Sequence, residues 1–391
     1  MIKSSIKNKN YLLSRSLETF TFLLLLLVFF FLNYQQVFTD SYESDTIEHI
    51  EILKQYFANK KYIPHPLWHY GTYLVSLIFH ISIKLAATIF SSILMLSWTL
   101  IIYLFNKNKI TFKTQTESVE TLFHLLLMLC IVFLSALVIP GDHLIYLGKG
   151  GPSIWHNITI WMVKPFAFFT IVFTFLALKN NNKKDYIYAF IFAIISLFAK
   201  PSFIIIFLPA LFVVTLMNKY YNKTFLLYFF MLSFTSISIL IYQLLNTFSN
   251  SEIVVDFLGV WSRYSSNISL SIFLGLAFPI TFSLLNKKTL NEPIFQLLWI
   301  QTFFGIILYS CFAQAGEQYT HGNFAWSYLI AMNLLYLFTI VRFIKNYYIL
   351  SILKRSILAI LLFIQTVIGF YYFFRILQGQ NPLYISIFFL R

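Results

Sequence analysis

Apolar stretches of about twenty residues recur along this chain from end to end, and that length is what a helix needs to cross a hydrocarbon core roughly 30 Å thick. A soluble globular enzyme does not carry such runs. Apolar residues make up 59% of the 391 and charged residues only 11%, with 46 phenylalanines and a mean hydropathy of +0.76; an ordinary soluble domain is about 25% charged. The expected fold is all-α, a polytopic transmembrane helical bundle forming one integral-membrane domain over residues 1–391.

The net charge is +14, from 28 lysines and arginines against 14 acids. In a soluble protein that excess would suggest nucleic acid. Here the bases sit in short clusters between apolar runs, with no basic stripe interleaved with stacking aromatics, so no nucleic-acid partner is expected. Cys130 and Cys311 lie inside apolar runs and read as inert core thiols without a disulfide or metal role. The first run, Phe20 to Leu32, follows Lys3, Lys7, Lys9 and Arg15 much as in a signal peptide, but continues into Asn33-Tyr34-Gln35-Gln36 without a small-residue cleavage site. It reads as a retained anchor with its N-terminus in the cytoplasm.

Starting inside, about eleven spans are expected, at 18–38, 85–105, 119–139, 159–178, 187–199, 202–217, 225–246, 268–285, 294–312, 325–341 and 356–375. This threading places 18 bases in cytoplasmic segments and five (Lys54, Lys60, Lys61, Lys149 and Arg263) in outer loops, a bias that sets the orientation. Residues 67–105 are too long for one crossing, whereas Lys107, Lys109 and Lys113 require an odd number. Residues 67–83 are therefore assigned to an interfacial helix with His69, His80 and Lys84 on its polar side, so that 39–84 forms the large first outer loop and its interfacial helix. Lys200-Pro201 divides 187–217 into two short helices meeting near the outer face, because a buried lysine is costly and the residue before proline leaves the helix.

The outer loops hold nine of the fourteen acids and six of the eight histidines. Acids contribute little to topology, so their concentration points to an outward-facing polar site. In the segment from Thr39 to His49, Asp45 and His49 are four apart and share a helix face; a carboxylate there can act as a general base or hold a cation, and a histidine can orient it or bind an anion. Asp40, Glu43 and Glu48 are further acids of the same loop, and a solvated acidic helix end is the simpler alternative. In Ile63 to Tyr70, Trp68 and Tyr70 suit a headgroup boundary, while His65 and His69, four apart without an HExxH motif, are favoured as structural and headgroup-facing residues over metal ligands.

The segment 140–158 brings Asp142 and His143, then glycines that match no nucleotide-binding pattern, then Trp155-His156-Asn157. That trio offers a stacking surface and hydrogen bonds of the kind sugars need, or alternatively a cap for the following helix. Lys200 and Lys164 are candidate intramembrane cations suited to a phosphate, with snorkelling the competing explanation, more so for Lys164. Glu317 and His321 repeat the four-residue spacing in a later outer loop, and Arg263 with Trp261 can complete a shared cavity. No residue is assigned to a metal.

The pattern resembles the GT-C superfamily of integral-membrane glycosyltransferases, which take sugars from polyprenyl-phosphate or polyprenyl-diphosphate donors. The resemblance is architectural over most of the chain, and locally rests on Asp45 and His49 followed by Pro64-His65-Pro66-Leu67-Trp68, similar to the aspartate and His-Pro segment in the first loop of such enzymes. The paired acids of many relatives are not adjacent here, and no soluble C-terminal domain follows.

The resemblance implies transfer of a sugar from a polyprenyl-phosphate-linked donor to a glycan or glycoconjugate acceptor on the outer side of a bacterial cytoplasmic membrane, in cell-envelope polysaccharide assembly. Asp45, or Asp40 as the second choice, is expected as catalytic base, with Lys200 stabilising the phosphate leaving group and inversion at the anomeric carbon. Glu48, His49, His65, His69, Asp142, His143, Trp155, His156, Asn157, Arg263, Glu317 and His321 are the expected substrate-binding residues. Membrane lipids are the remaining expected partners; the lipid-linked sugar is donor rather than cofactor, and metal dependence varies among such enzymes. A polymerase or ligase of another fold, a lipid-linked-saccharide transporter and a noncatalytic assembly subunit are the rival readings; the transporter is disfavoured because only one broken hairpin is seen.

Overall fold

The computed structural model describes residues 2–39, 42–60, 62–63, 65–112, 116–139, 144–247 and 252–383. Apolar runs bounded by capping residues become helices: α1 (Ile2–Phe38), α2 (Asp45–Asn59), α3 (Leu67–Phe79), α4 (Ile83–Lys109), α5 (Glu117–Val132), α6 (Ile158–Asn180), α7 (Lys183–Ala199), α8 (Ser202–Asn218), α9 (Lys223–Thr247), α10 (Gly259–Tyr264), α11 (Ile268–Gly275), α12 (Ala277–Leu285), α13 (Pro293–Cys311), α14 (Ala325–Lys345) and α15 (Ile352–Leu377). Ser44, Ser82, Thr116, Asn157, Asn182 and Asn267 each accept a hydrogen bond from a backbone N–H of the helix they precede, satisfying donors that the helix itself cannot. The described residues also form one antiparallel pair, β1 (Ile253–Val255) with β2 (Phe312–Gln314), Ile253 lying opposite Gln314.

Among the described residues, seven helical stretches are long and apolar enough to cross a membrane, and the α11–α12 pair makes eight if counted as one span. This is a multi-pass membrane protein. Almost every residue of α14 is buried, so this helix is the axis around which α4, α6, α8, α12 and α13 pack. Cys130 and Cys311 are both free and half-buried.

Each of the eleven expected spans has a helical counterpart, but α5, α7 and α8, with 16, 17 and 17 residues, are not among the stretches long enough to cross, and two of the eleven are not simple rods. Instead of running over 119–139, α5 stops at Val132 and the chain to Val138 is irregular; instead of a straight 268–285, the α11–α12 pair bends by 73°. Irregular backbone in an apolar interior survives only if its polar groups are satisfied. The two breaks satisfy each other. The Leu137 N–H donates to the Leu274 carbonyl (3.1 Å), and Gln365 Nε2 donates to the Ser135 carbonyl (3.1 Å) and to the Tyr336 hydroxyl (2.8 Å), which in turn donates to the Gly275 carbonyl (2.7 Å). Gly369 of α15 allows this crossing, since a Cβ there would collide with the Phe133 carbonyl oxygen.

The segment 144–157, the described part of the expected outer loop 140–158, packs into the bundle as a buried plug. Its one-turn π-helix, Ile145–Lys149, presents carbonyls to surrounding helices: Leu147 accepts from the Tyr309 hydroxyl (2.8 Å), Gly148 from Trp261 Nε1 (2.6 Å) and Lys149 from the Tyr328 hydroxyl (3.4 Å). Lys164 does not snorkel: it is 1% exposed, with Nζ 4.0 Å from the centre of the Trp161 ring. The polar side expected over 67–83 is divided between elements: His80, just after α3, and Lys84, in the first turn of α4, are exposed, whereas His69 of α3 is buried.

Candidate functional site

The end of α7 delivers Lys200 beside the start of α6, and the buried plug delivers His156 and Asn157 to the same place. Asn157 is the N-cap of α6: its Oδ1 accepts from the Ile160 N–H (3.1 Å) and the Thr159 hydroxyl (2.8 Å). Its Nδ2 donates to Asp45 Oδ2. Lys200 Nζ donates to Thr159 Oγ1 at 2.8 Å, lies 3.5 Å from Asn157 Oδ1 and sits 4.5 Å from the centre of the Trp326 ring. One asparagine thus bridges a carboxylate and a buried ammonium.

Asp45 is itself anchored by backbone. Its N–H donates to the His156 carbonyl (3.1 Å), which also accepts from the Ser44 hydroxyl (3.0 Å), while Ser44 caps α2. The carboxylate therefore occupies the first turn of α2, where the helix dipole favours negative charge. Gln36 of α1 holds the neighbouring Trp155 carbonyl through Nε2 at 3.1 Å. Burial pulls the Lys200 ammonium down to about 8, with Asp45 acting in the opposite direction; burial likewise lowers His156, with Asp45 opposing and Lys200 reinforcing the shift.

Asp45, Glu48, His156 and His321 line a cavity of about 360 Å³, together with Tyr146 and Trp326. Lys200 and Asn157 stand just behind that wall. His156 packs edge-on to Tyr146, ring centres 4.5 Å apart, with its buried Nδ1 lacking a hydrogen-bond partner among the described residues. The lining is mainly polar, with Glu43, Ser44, Thr320 and Asn323 beside the residues above, and Tyr146, Tyr264 and Trp326 supply its aromatic faces; such a wall can hydrogen-bond and stack against a hydroxyl-rich ligand.

His49, His65 and His69 form a second group beside the first. Their ring centres are 5.1 Å (His49–His69), 5.7 Å (His49–His65) and 6.2 Å (His65–His69) apart, with Trp68 against His49. His69 is wholly buried. Burial holds His49 and His65 well below the ordinary histidine range, their charged neighbours (Lys200 and the other imidazoles) adding to it, and brings His69 down to about 4. Among the described residues no three histidine, cysteine, aspartate or glutamate side chains are placed as ligands of one metal ion.

Other expected site residues lie elsewhere. Trp155 is 1% exposed and packs among Phe29, Phe133, Trp161 and Phe373, so it offers no face to a ligand in the cavity. Glu317 is exposed and away from the cavity lining. Arg263, also exposed, lies over the Tyr319 ring at 4.7 Å. Asp40, Asp142 and His143 lie outside the described residues. Sequence reasoning did not single out Tyr146, Thr159, Asn323 or Trp326 as site residues. Nothing in the spacing marks Thr159 or Tyr146, whereas Asn323 and Trp326 belong to the polar-aromatic segment that also supplied Glu317 and His321. No protein-family model and no curated protein matches the chain.

Proposed function

We propose that this protein is a membrane glycosyltransferase of the GT-C kind, moving a sugar from a polyprenyl-phosphate-linked donor to an acceptor hydroxyl on the outer face of a bacterial cytoplasmic membrane, in the assembly of a cell-envelope polysaccharide or glycoconjugate. The observation that carries the reading is the Asp45–Asn157–Lys200 arrangement, with Asp45 on the cavity wall and Asn157 and Lys200 behind it. Sugar transfer to a hydroxyl needs a base for the acceptor proton and positive charge for the departing phosphate.

With one Asp45 oxygen held by Asn157, the other takes the acceptor proton. The acceptor oxygen then attacks the anomeric carbon from the face opposite the lipid phosphate, the carbon–oxygen bond to that phosphate breaks, and configuration inverts. Lys200 supports the leaving phosphate by its charge, acting through Asn157 and the low-dielectric wall. His156, His321 and Glu48 offer hydrogen bonds to sugar hydroxyls, and Tyr146 and Trp326 offer apolar faces.

The test is turnover of a panel of polyprenyl-phosphate sugars by the purified protein in lipid, wild type against Asp45→Asn. Donor cleavage that is lost in the variant is the expected result. Cleavage that survives moves the base to Asp40, Glu43 or Glu48, and no cleavage with any donor overturns the reading in favour of a transporter or an assembly subunit.

A further inference from the structure

The end of the bundle remote from Asp45 carries a second binding feature. Helix α7 ends at Ala199, next to Lys200 of the site, so its first residue, Lys183, lies about 25 Å away at a rise of 1.5 Å per residue, close to the thickness of a hydrocarbon core. Helix α9 packs along α7 and begins there with Lys223. Between them is a cleft of about 590 Å³ with Lys183 and Lys223 at one end and Tyr186, Phe190, Leu227 and Met231 along its walls.

The cleft opens to the outside of the bundle, since Leu227 is 62% and Met231 46% exposed. Five lysines (Lys179, Lys183, Lys184, Lys219 and Lys223) occupy the segments 179–185 and 219–223, against one acid, Asp185. Cations at the headgroup level above an apolar, lipid-facing groove match the two ends of a phospholipid. A groove at the Asp45 end, among Tyr56, Tyr62, Tyr70 and Tyr242, is lined by no lysine or arginine among the described residues.

We propose that the α7–α9 cleft binds an anionic diacyl phospholipid of the leaflet opposite the candidate active site, Lys183 and Lys223 pairing with its phosphate and one acyl chain lying along Tyr186, Phe190, Leu227 and Met231. The inference is independent of the sugar-transfer reading, because it concerns neither the Asp45 cavity nor its substrate. It also assigns the two lysines a task beyond fixing orientation.

The experiment places the full-length protein in phosphatidylcholine nanodiscs doped with a photoactivatable phosphatidylglycerol, or with phosphatidylcholine carrying the same reactive chain, and maps the labelled peptides. The phosphatidylglycerol probe is expected to label 183–190 and 223–231 roughly fivefold or more above the phosphatidylcholine probe, since each juxtamembrane lysine contributes about fivefold. The K183Q/K223Q variant should fall to the phosphatidylcholine level and K183R/K223R should not. Leu227→Trp, which narrows the groove at an exposed position without altering charge, should also lower labelling. Equal labelling by the two probes, labelling unchanged in K183Q/K223Q, or competition by free glycerol phosphate overturns the proposal.

Discussion

Asp45–His49 and Glu317–His321 share a four-residue spacing and come from loops expected on one side of the membrane, yet only the first pair is built into the bundle. Asp45 begins an α-helix whose cap and first N–H are tied to Ser44 and the His156 carbonyl, and its carboxylate meets Asn157; His49, on the same face, turns inward to His65 and His69. Glu317 and His321 instead lie on a 3-10 helix, Gly316–His321. At about three residues per turn, positions four apart diverge by roughly 120° rather than aligning. His321 accordingly reaches the cavity while Glu317 stays in solvent. Spacing confers a shared face only when the local helix has the pitch that the spacing assumes.

The largest effect expected from this contrast is in turnover. Asp45→Asn should lower sugar transfer by about 10²–10⁴-fold, the range for loss of a general base, whereas Glu317→Gln should leave it within about twofold. Steady-state turnover in lipid, with circular dichroism to confirm helicity, decides between them. Comparable losses at both positions would mean that the later loop closes onto the site during the reaction and that the two pairs are equivalent after all.

Lys200 gives the next largest effect. Lys200→Met should lower turnover by about 10²-fold, the scale for removing one preorganised charge or donor from a transition state. Because burial brings this ammonium down to about 8, the protonated form is lost as pH rises through that value, and the rate should fall on the alkaline side. Lys200→Arg, whose guanidinium does not deprotonate in this range, should move that limb upward. An alkaline limb unchanged by the arginine would assign it to another group.

Lys200 was also among the most legible features of the sequence. A lysine followed by proline inside an apolar run is both a charge that needs a partner and a residue excluded from the helix, and α7 ends just before it. Asn157 was legible as a cap, and it is one, while its Nδ2 meets Asp45 rather than facing the cavity. The early end of α5 was not legible, because no proline or glycine stands at Val132–Val138; what satisfies that break is Gln365 and Gly369, more than 200 residues later, where Gln365 Nε2 meets the Ser135 carbonyl. Trp155 failed as a ligand platform for a related reason. Its identity fits a stacking surface or a core, and only the arrival of Phe29, Phe133 and Phe373 around it decides for the core.

The three-histidine cluster beside the first pair predicts an acid sensitivity of its own. His69 has its folded-state value lowered to about 4 against about 6.5 in an unfolded chain, so the unfolded state binds more protons between those limits. Stability contributed by the neutral imidazole is present above about pH 6.5 and lost as pH falls towards 4. Thermal unfolding of the wild type should shift downward over that window, and His69→Phe should flatten the shift. An acid shift that persists in His69→Phe would assign it to His49 and His65, the other lowered imidazoles of the cluster.

The smallest expected effect is at Arg263, which lies over the Tyr319 ring on the same exposed side as Glu317. Exposed charges of this kind contribute little, and the guanidinium is not part of the cavity lining. Arg263→Ala should therefore leave turnover within about twofold and donor KM unchanged. A raised donor KM with unaltered kcat would have a specific meaning: Arg263 of α10 would contribute charge to the donor phosphate, and the polar site would extend from the first outer segment to the later one. That outcome would narrow the contrast between the two acid–histidine pairs from a difference in role to a difference in distance from the reacting atoms.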